Sequence, residues 1–299
     1  MQLTQQLAVL AALFAYANAH GTVVNVKGAN GVTMPGLTVA DGTPRDCSSN
    51  GCGSQADTAI IRDREIASGK CGPLGRTQGN GPVDPAVMIA AFMGTGAAAA
   101  PPTNQGASGA TGVEDNIPNN VAGGKKRQLL GGLLGGGGNG GGGGTKAEGP
   151  PESGVAAAAG QGATSGLPTA NADGTVDMTF RQINQDGAGP FEAAVDGTSG
   201  GTDAAAFQDA EVTKDVPGLG IQGLSLATST EFDMQIKVPA GMTCDATVAG
   251  TPNVCIARVR NGAGAGPFGG SVAFTQSQAA RKRAIAYRLK KRMEIGNIH

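Results

Sequence analysis

The sequence predicts a mainly β protein, a sandwich of short strands, from three observations. First, two stretches alternate strictly. In TVDMTFRQI, Val176, Met178 and Phe180 fall on one face and Asp177, Thr179 and Arg181 on the other; in EFDMQIKV, Phe232, Met234, Ile236 and Val238 alternate with Asp233, Gln235 and Lys237. Second, NVCIARV and SVAFTQ read as further strands, and Phe207 to Val212 as another. Third, the intervening segments DGAGP, VPGLG, PAG and GAGAGPFGG carry turn chemistry. A strand with one apolar face must bury it against a second layer, so several short strands with glycine turns point to a β-sandwich.

The elements follow in chain order. Leu7 to Tyr16 is apolar and is followed by Ala17-Asn18-Ala19, the small-x-small pattern of a signal-peptidase site. The run is too short for a permanent membrane span, so residues 1–19 read as a signal peptide and His20 as the mature N-terminus. An extracellular destination follows. Gly21 to Lys27 is a β-branched run, the first strand. QADTAIIRDREI reads as a short helix carrying Ile60, Ile61 and Ile66. Asp84-Pro85 before AVMIAAFM pairs an N-cap with proline at the first helical position, which predicts a helix to Met93 that stops at Gly94.

From Gly94 to about Ala170 the apolar periodicity disappears. Glycine makes up 52 of the 299 residues, and the run LLGGLLGGGGNGGGGG concentrates it here. Such composition buries too little apolar surface to offset the entropy of ordering, so a long flexible insertion is expected, with Lys125-Lys126-Arg127 open to proteolysis within it. The organisation is then a signal peptide (1–19), one β-sandwich domain (20–276) interrupted at about 94–170, and a basic tail (277–299). The net charge is −1 overall; residues 281–299 carry seven basic side chains and one acid, a balance of +6, which leaves −7 on the rest. Ala279 to Ile295 is helix-prone, with Ile285, Leu289 and Met293 on one stripe among basic residues. Such a tail is either a solvated helix or an electrostatic contact for anionic lipid or wall polymers.

In an oxidising compartment Cys47, Cys52, Cys71, Cys244 and Cys255 form disulfides by default. Cys244 and Cys255 flank a turn-rich stretch, Asp245 to Asn253, and are expected to pair. The odd count leaves one thiol over, and the pairing among Cys47, Cys52 and Cys71 stays open. Without CxxC spacing or neighbouring histidines, a zinc site is not expected.

Four stretches carry a family resemblance: GTPRDC with QADTAIIRDREI; GPLGRTQGNGPVDP; MTFRQINQDGAGPF; and VPAGMTCDATVAGTPNVCIARVRNGAGAGPFGG. Together they span most of residues 20–276, and the chain resembles the secreted appressorium-associated proteins of filamentous fungi, the Egh-like virulence factor family. The resemblance implies an extracellular or cell-surface protein made during host penetration. It also implies an immunoglobulin-like, lytic-monooxygenase-like β-sandwich, similar to copper-dependent lytic polysaccharide monooxygenases. Relatives carry cysteine where this chain has Ala193, Val259 and Ser271. Loss of the first two together reads as loss of one disulfide, and the third would leave one of Cys47, Cys52 and Cys71 without its partner.

His20 is the sharpest candidate for chemistry. Cleavage after Ala19 frees its α-amine beside its own imidazole, a two-nitrogen chelate that favours copper. A second histidine completes such a brace. The resemblance places it where this chain has Arg181, since relatives read HQVN-x-DGAGP against Arg181-Gln182-Ile183-Asn184-Gln185-Asp186-Gly187. A guanidinium offers no lone pair. His299, the other histidine, ends the tail. His20 is therefore the one metal candidate, read as a family remnant at an exposed terminus that holds copper weakly.

Other chemistry is poorly supported. Asp173, Asp177, Asp186 and Glu192 cluster in sequence but read as turn and surface acids, and no nucleophile–base pair can be assembled. GAGAGPFGG lacks the GK[ST] ending of a phosphate loop. The two tyrosines are Tyr16, in the signal peptide, and Tyr287, in the tail, and tryptophan is absent, so a broad sugar-stacking face is not expected. The sequence reading is a secreted or cell-surface protein at the host interface, non-enzymatic or with a degenerate metal site, contacting wall polysaccharide or a host surface component and not nucleic acid. The alternatives are a copper monooxygenase and a wall carbohydrate-binding module.

Overall fold

A computed structural model describes residues 20–48, 52–95, 100–105, 145–146, 149–185, 187–220 and 223–296. The expected signal peptide at residues 1–19, the 125–127 basic run, Asp186 and His299 lie outside the described residues.

The chain is mainly β, with short helices and a C-terminal helix. Strands β1 (Gly21–Lys27), β2 (Thr33–Pro35), β7 (Thr175–Gln182), β9 (Phe207–Lys214) and β10 (Thr230–Lys237) hydrogen-bond in the order β2-β1-β7-β10-β9. The sheet continues through β8 (Phe191–Asp196), β12 (Thr251–Asn261), β13 (Phe268–Phe274), β3 (Ala59–Ile60), β4 (Arg76–Thr77) and β5 (Gly81–Pro82). Short β6 (Thr145–Lys146) pairs with β10, and β11 (Ala246–Val248) with β12. All these pairings are antiparallel. The sheet curls so that its two halves face one another, β9 bonding to a strand of each.

The predicted alternation builds the space between the halves. Val176, Met178 and Phe180 from β7 and Phe232, Met234 and Ile236 from β10 are buried there, register-paired as Phe232 with Phe180 and Met234 with Met178. Phe180 meets Phe191 of the opposing half edge-on at 4.6 Å between ring centroids, and Val23 packs where Gly270 of β13 leaves room for its backbone. Asp233 and Lys237 face water as expected. Thr179 and Arg181 do not: both are buried, with the Arg45 backbone laid against Arg181, its carbonyl accepting from the guanidinium. The Thr22 hydroxyl meets the Thr38 hydroxyl and the Asp57 carbonyl.

The helix at Asp84 forms as predicted. Pro85–Met93 is helical, Asp84 accepts from the Ala86 N–H at 2.9 Å, and Gly94 closes it at φ 65°, a left-handed geometry that suits glycine. QADTAIIRDREI differs from its reading: Ala59–Ile60 is the β3 strand and only Asp63–Ala67 is helical, because Ile60 bonds into the sheet beside Phe268. The expected insertion also ends earlier. Residues 149–170 pack against the body as two short helices, Gly154–Ala158 and Gly162–Ser165, with Val155, Leu167 and Ala170 buried in the core. Asp41 caps the first of them by accepting from the Val155 and Ala156 N–H groups. A few apolar residues suffice once the tertiary fold supplies the opposing surface.

Candidate functional site

His20 immediately precedes β1. Its carbonyl accepts from the Ile183 N–H at 2.9 Å, and its backbone nitrogen donates to Asn184 Oδ1 at 2.6 Å. The turn after β7 must come close to make these bonds: a Cβ at Gly187 would stand 2.2 Å from the His20 carbonyl oxygen. The imidazole lies on the Phe268 ring, 4.3 Å between centroids and tilted by 35°. Expected at an exposed terminus, His20 is instead fully buried. A ring that stacks in the core and a backbone tied to the β7 turn both favour burial over solvent.

Arg181 sits in the β7 register opposite Thr22 of β1 and Glu231 of β10. It is the largest fully buried side chain among the described residues. One Nη donates to the Arg45 carbonyl; the other stands 3.8 Å from Glu231 Oε1. Among the described residues Nε and Nη1 meet no hydrogen-bond acceptor. Burial, and then the charge of Arg45, lower its pKa, while Glu231 opposes them. A guanidinium starts so high that it stays charged.

Arg45 extends the cluster. It grips Asp57 bidentately at 2.6 and 3.2 Å and donates through Nε to Glu152 at 3.0 Å. Burial alone would lower its pKa; the charges of Asp57 and Glu152 and their hydrogen bonds outweigh that and raise it. Burial likewise works to raise the Glu152 carboxyl, but Arg45 and the Ser153 and Gly154 N–H groups bring it below its ordinary value. Two guanidiniums and three carboxylates thus share one region beside the amino end of β1. The predicted ligand position belongs to an internal ion cluster.

The fit of copper to these residues follows from donor chemistry. Arg181 has no lone pair, and Asp57 and Glu152 are already engaged by Arg45. Among the described residues no group of three or more His, Cys, Asp or Glu side chains is placed to hold a metal ion. Among the described residues His20 alone supplies imidazole nitrogen, so they do not fit a three-nitrogen copper brace.

The other candidates separate in space. Asp173 caps Thr175, Asp177 accepts from Asn171 and Gln235, and Glu192 pairs with Arg260, so these acids serve turns and strand faces. Cys244 and Cys255 are disulfide-bonded, as expected. Cys47 bonds Cys52, which identifies the leftover thiol as the buried Cys71. Ala193 and Val259, where the resemblance implies cysteines, are direct cross-strand partners of β8 and β12. Such opposed residues lie at a spacing a disulfide spans. Sequence reasoning missed Arg45, Asp57 and Glu152, which are separated by up to 107 positions; the presence of Arg45 in GTPRDC and of Asp57 in QADTAIIRDREI was the one hint at two of them.

A family model described as "Egh16-like virulence factor" matches residues 18–269. The appressoria-specific virulence factor GAS2 of Pyricularia oryzae is 54% identical over 288 residues, covering 95% of this chain and 93% of its own length. The appressoria-specific virulence factor GAS1 of the same species is 37% identical over 131 residues, 42% of this chain and 51% of its own. No solved structure matches.

Proposed function

The chain belongs to the Egh16-like virulence factor family, and from that premise we propose that it is a secreted protein acting at the fungus–host interface during infection, through surface contacts and not through copper chemistry. The names of its relatives support a virulence-related role. The small-x-small site ending at Ala19 supports export. The observation that carries the non-enzymatic part is Arg181: the position where the resemblance implies a ligand holds a buried cation bonded to the Arg45 carbonyl. A fixed positive charge there repels a metal cation and donates nothing to it. The contacts would be with wall polysaccharide or a host surface component.

Copper titration into secreted protein, with His20 verified as its first residue, tests the reading. Wild type should bind weakly and release no oxidised oligosaccharides from wall polysaccharide when given reductant and oxygen. An Arg181→His variant that stays folded should bind more tightly, by about tenfold or more for one added nitrogen ligand. Tight, equal binding by both proteins, with oxidised sugars released by the wild type, would put the copper monooxygenase reading in its place.

A further inference from the structure

The basic tail, read from sequence as either solvated or adhesive, is a continuous helix, Gln278–Gly296. Only its first half is fastened to the body. Arg281 donates to the Cys244 carbonyl at 2.7 Å and pairs with Asp245 at 2.6 Å, while Arg288 donates to the Thr243 hydroxyl at 3.1 Å. Tyr287 lies against Gly241. Beyond Arg288 the residues through Glu294 are all exposed.

The side of the helix turned to solvent is not simply polar. Ile285, Leu289 and Met293 stand at i, i+4 and i+8, so they share one stripe about 12 Å long. They are 38%, 54% and 64% exposed and account for three of the seven large apolar side chains left open to water among the described residues. The body contacts at Arg281 and Arg288 hold the neighbouring face, which leaves this stripe turned to solvent. Lys282 and Arg292 fall alongside it, and Lys290 and Lys291 are exposed on the rest of the free half. The helix carries +6 while the rest of the chain carries −7.

We propose that this helix is a surface-docking element for anionic lipid bilayers. Ile285, Leu289 and Met293 enter the headgroup–acyl boundary, and the surrounding lysines and arginines meet lipid phosphates and carboxylates. Charge complementarity selects the occupant: an anionic surface attracts the helix and repels the acidic body, so it is approached helix first. The apolar stripe distinguishes lipid from a soluble polyanion, which has no apolar phase to receive it. Helix-to-helix pairing of two copies would bring together two surfaces of the same strong charge. The helix lies on the bilayer and does not span it, since no helix among the described residues is long and apolar enough to cross one.

Sedimentation of the secreted protein with vesicles is the test. Wild type should bind vesicles of phosphatidylcholine containing phosphatidylserine and not vesicles of phosphatidylcholine alone. Lys282→Gln, Lys291→Gln and Arg292→Gln together should weaken that binding by roughly 100-fold, from about fivefold for each basic residue near an anionic surface. Leu289→Gln with Met293→Gln should weaken it by about tenfold while leaving the charge untouched. Both variants should melt with the wild type, because every changed residue is exposed. Equal binding to both vesicle types, or no binding, overturns the proposal. If the apolar variant binds vesicles as wild type does, and soluble polygalacturonate binds as tightly as vesicles, the helix is a polyanion site and the lipid assignment falls.

Discussion

Arginines in two regions of the molecule meet opposite fates. Arg45 and Arg181 are buried, in contact with backbone carbonyl or carboxylate, beside the first strand. Along the C-terminal helix Arg281 and Arg288 touch the body only at its margin, and Arg292 is in water. Inside, a cation depends on fixed partners, since a charge buried with none costs several kcal/mol. Outside, solvent screens each charge, which leaves it available to a partner. The same side chain therefore specifies internal architecture in one region and an external contact in the other.

The largest effect should come from breaking the buried region. Arg45→Met leaves Asp57, which is fully buried, without its ion pair, and should lower unfolding free energy by about 3–5 kcal/mol. Lys291→Met on the exposed helix should change it by no more than about 0.5 kcal/mol. Urea unfolding of the two variants would erase the contrast if their midpoints shifted alike.

A second experiment sharpens where the buried region ends. Val155 lies in the core although the sequence places it in low-complexity chain. Val155→Asp should cost about 3 kcal/mol, by burying an unmatched carboxylate. Replacing residues 107–143 with a short Gly/Ser linker should cost under about 1 kcal/mol, since loop entropy changes slowly with length. A large loss of melting temperature from the linker replacement would extend the packed region into that span.

The smallest effect concerns Glu65, buried close to the surface, where it accepts from Arg76 at 2.7 Å and Arg62 at 3.2 Å and lies 3.6 Å from exposed Lys70. The Arg76 hydrogen bond leads in bringing its pKa from 4.5 to about 2, against a burial effect of opposite sign. A carboxyl depressed in the folded state contributes stability that is fully present above 4.5 and is lost as pH falls towards 2. Allowing for solvent screening, that contribution is about 1–2 kcal/mol. Glu65→Gln should lose it at neutral pH and show a flatter decline between 4.5 and 2. Parallel acid unfolding of variant and wild type would show that Glu65 contributes no such linkage.

Much of the fold was legible because its signals are local. Alternation of period two marked β7 and β10, turn residues marked their ends, and the Asp84-Pro85 start with the Gly94 stop bounded a helix whose caps are made as expected. The spacing of Cys244 and Cys255 across one turn made their bond readable. The site was legible only in part. His20 and Arg181 could be singled out by residue type and by resemblance, but the sequence reading left His20 exposed and did not connect Arg181 to Arg45.

By itself, then, the sequence determined the β class, the helix at Asp84, the Cys244–Cys255 bond and the basic, apolar-striped helix at the C-terminus. Each depends on residues within a turn or two of one another, where propensity and periodicity act directly. Only the tertiary structure decided that His20 is buried on Phe268, that Cys71 is the free thiol, and that residues 149–170 return to the core. It also assembled Arg45, Asp57, Glu152, Arg181 and Glu231 into one ion cluster from segments up to 186 positions apart. Burial and charge pairing depend on what the rest of the chain lays over a residue, and no local pattern encodes that cover.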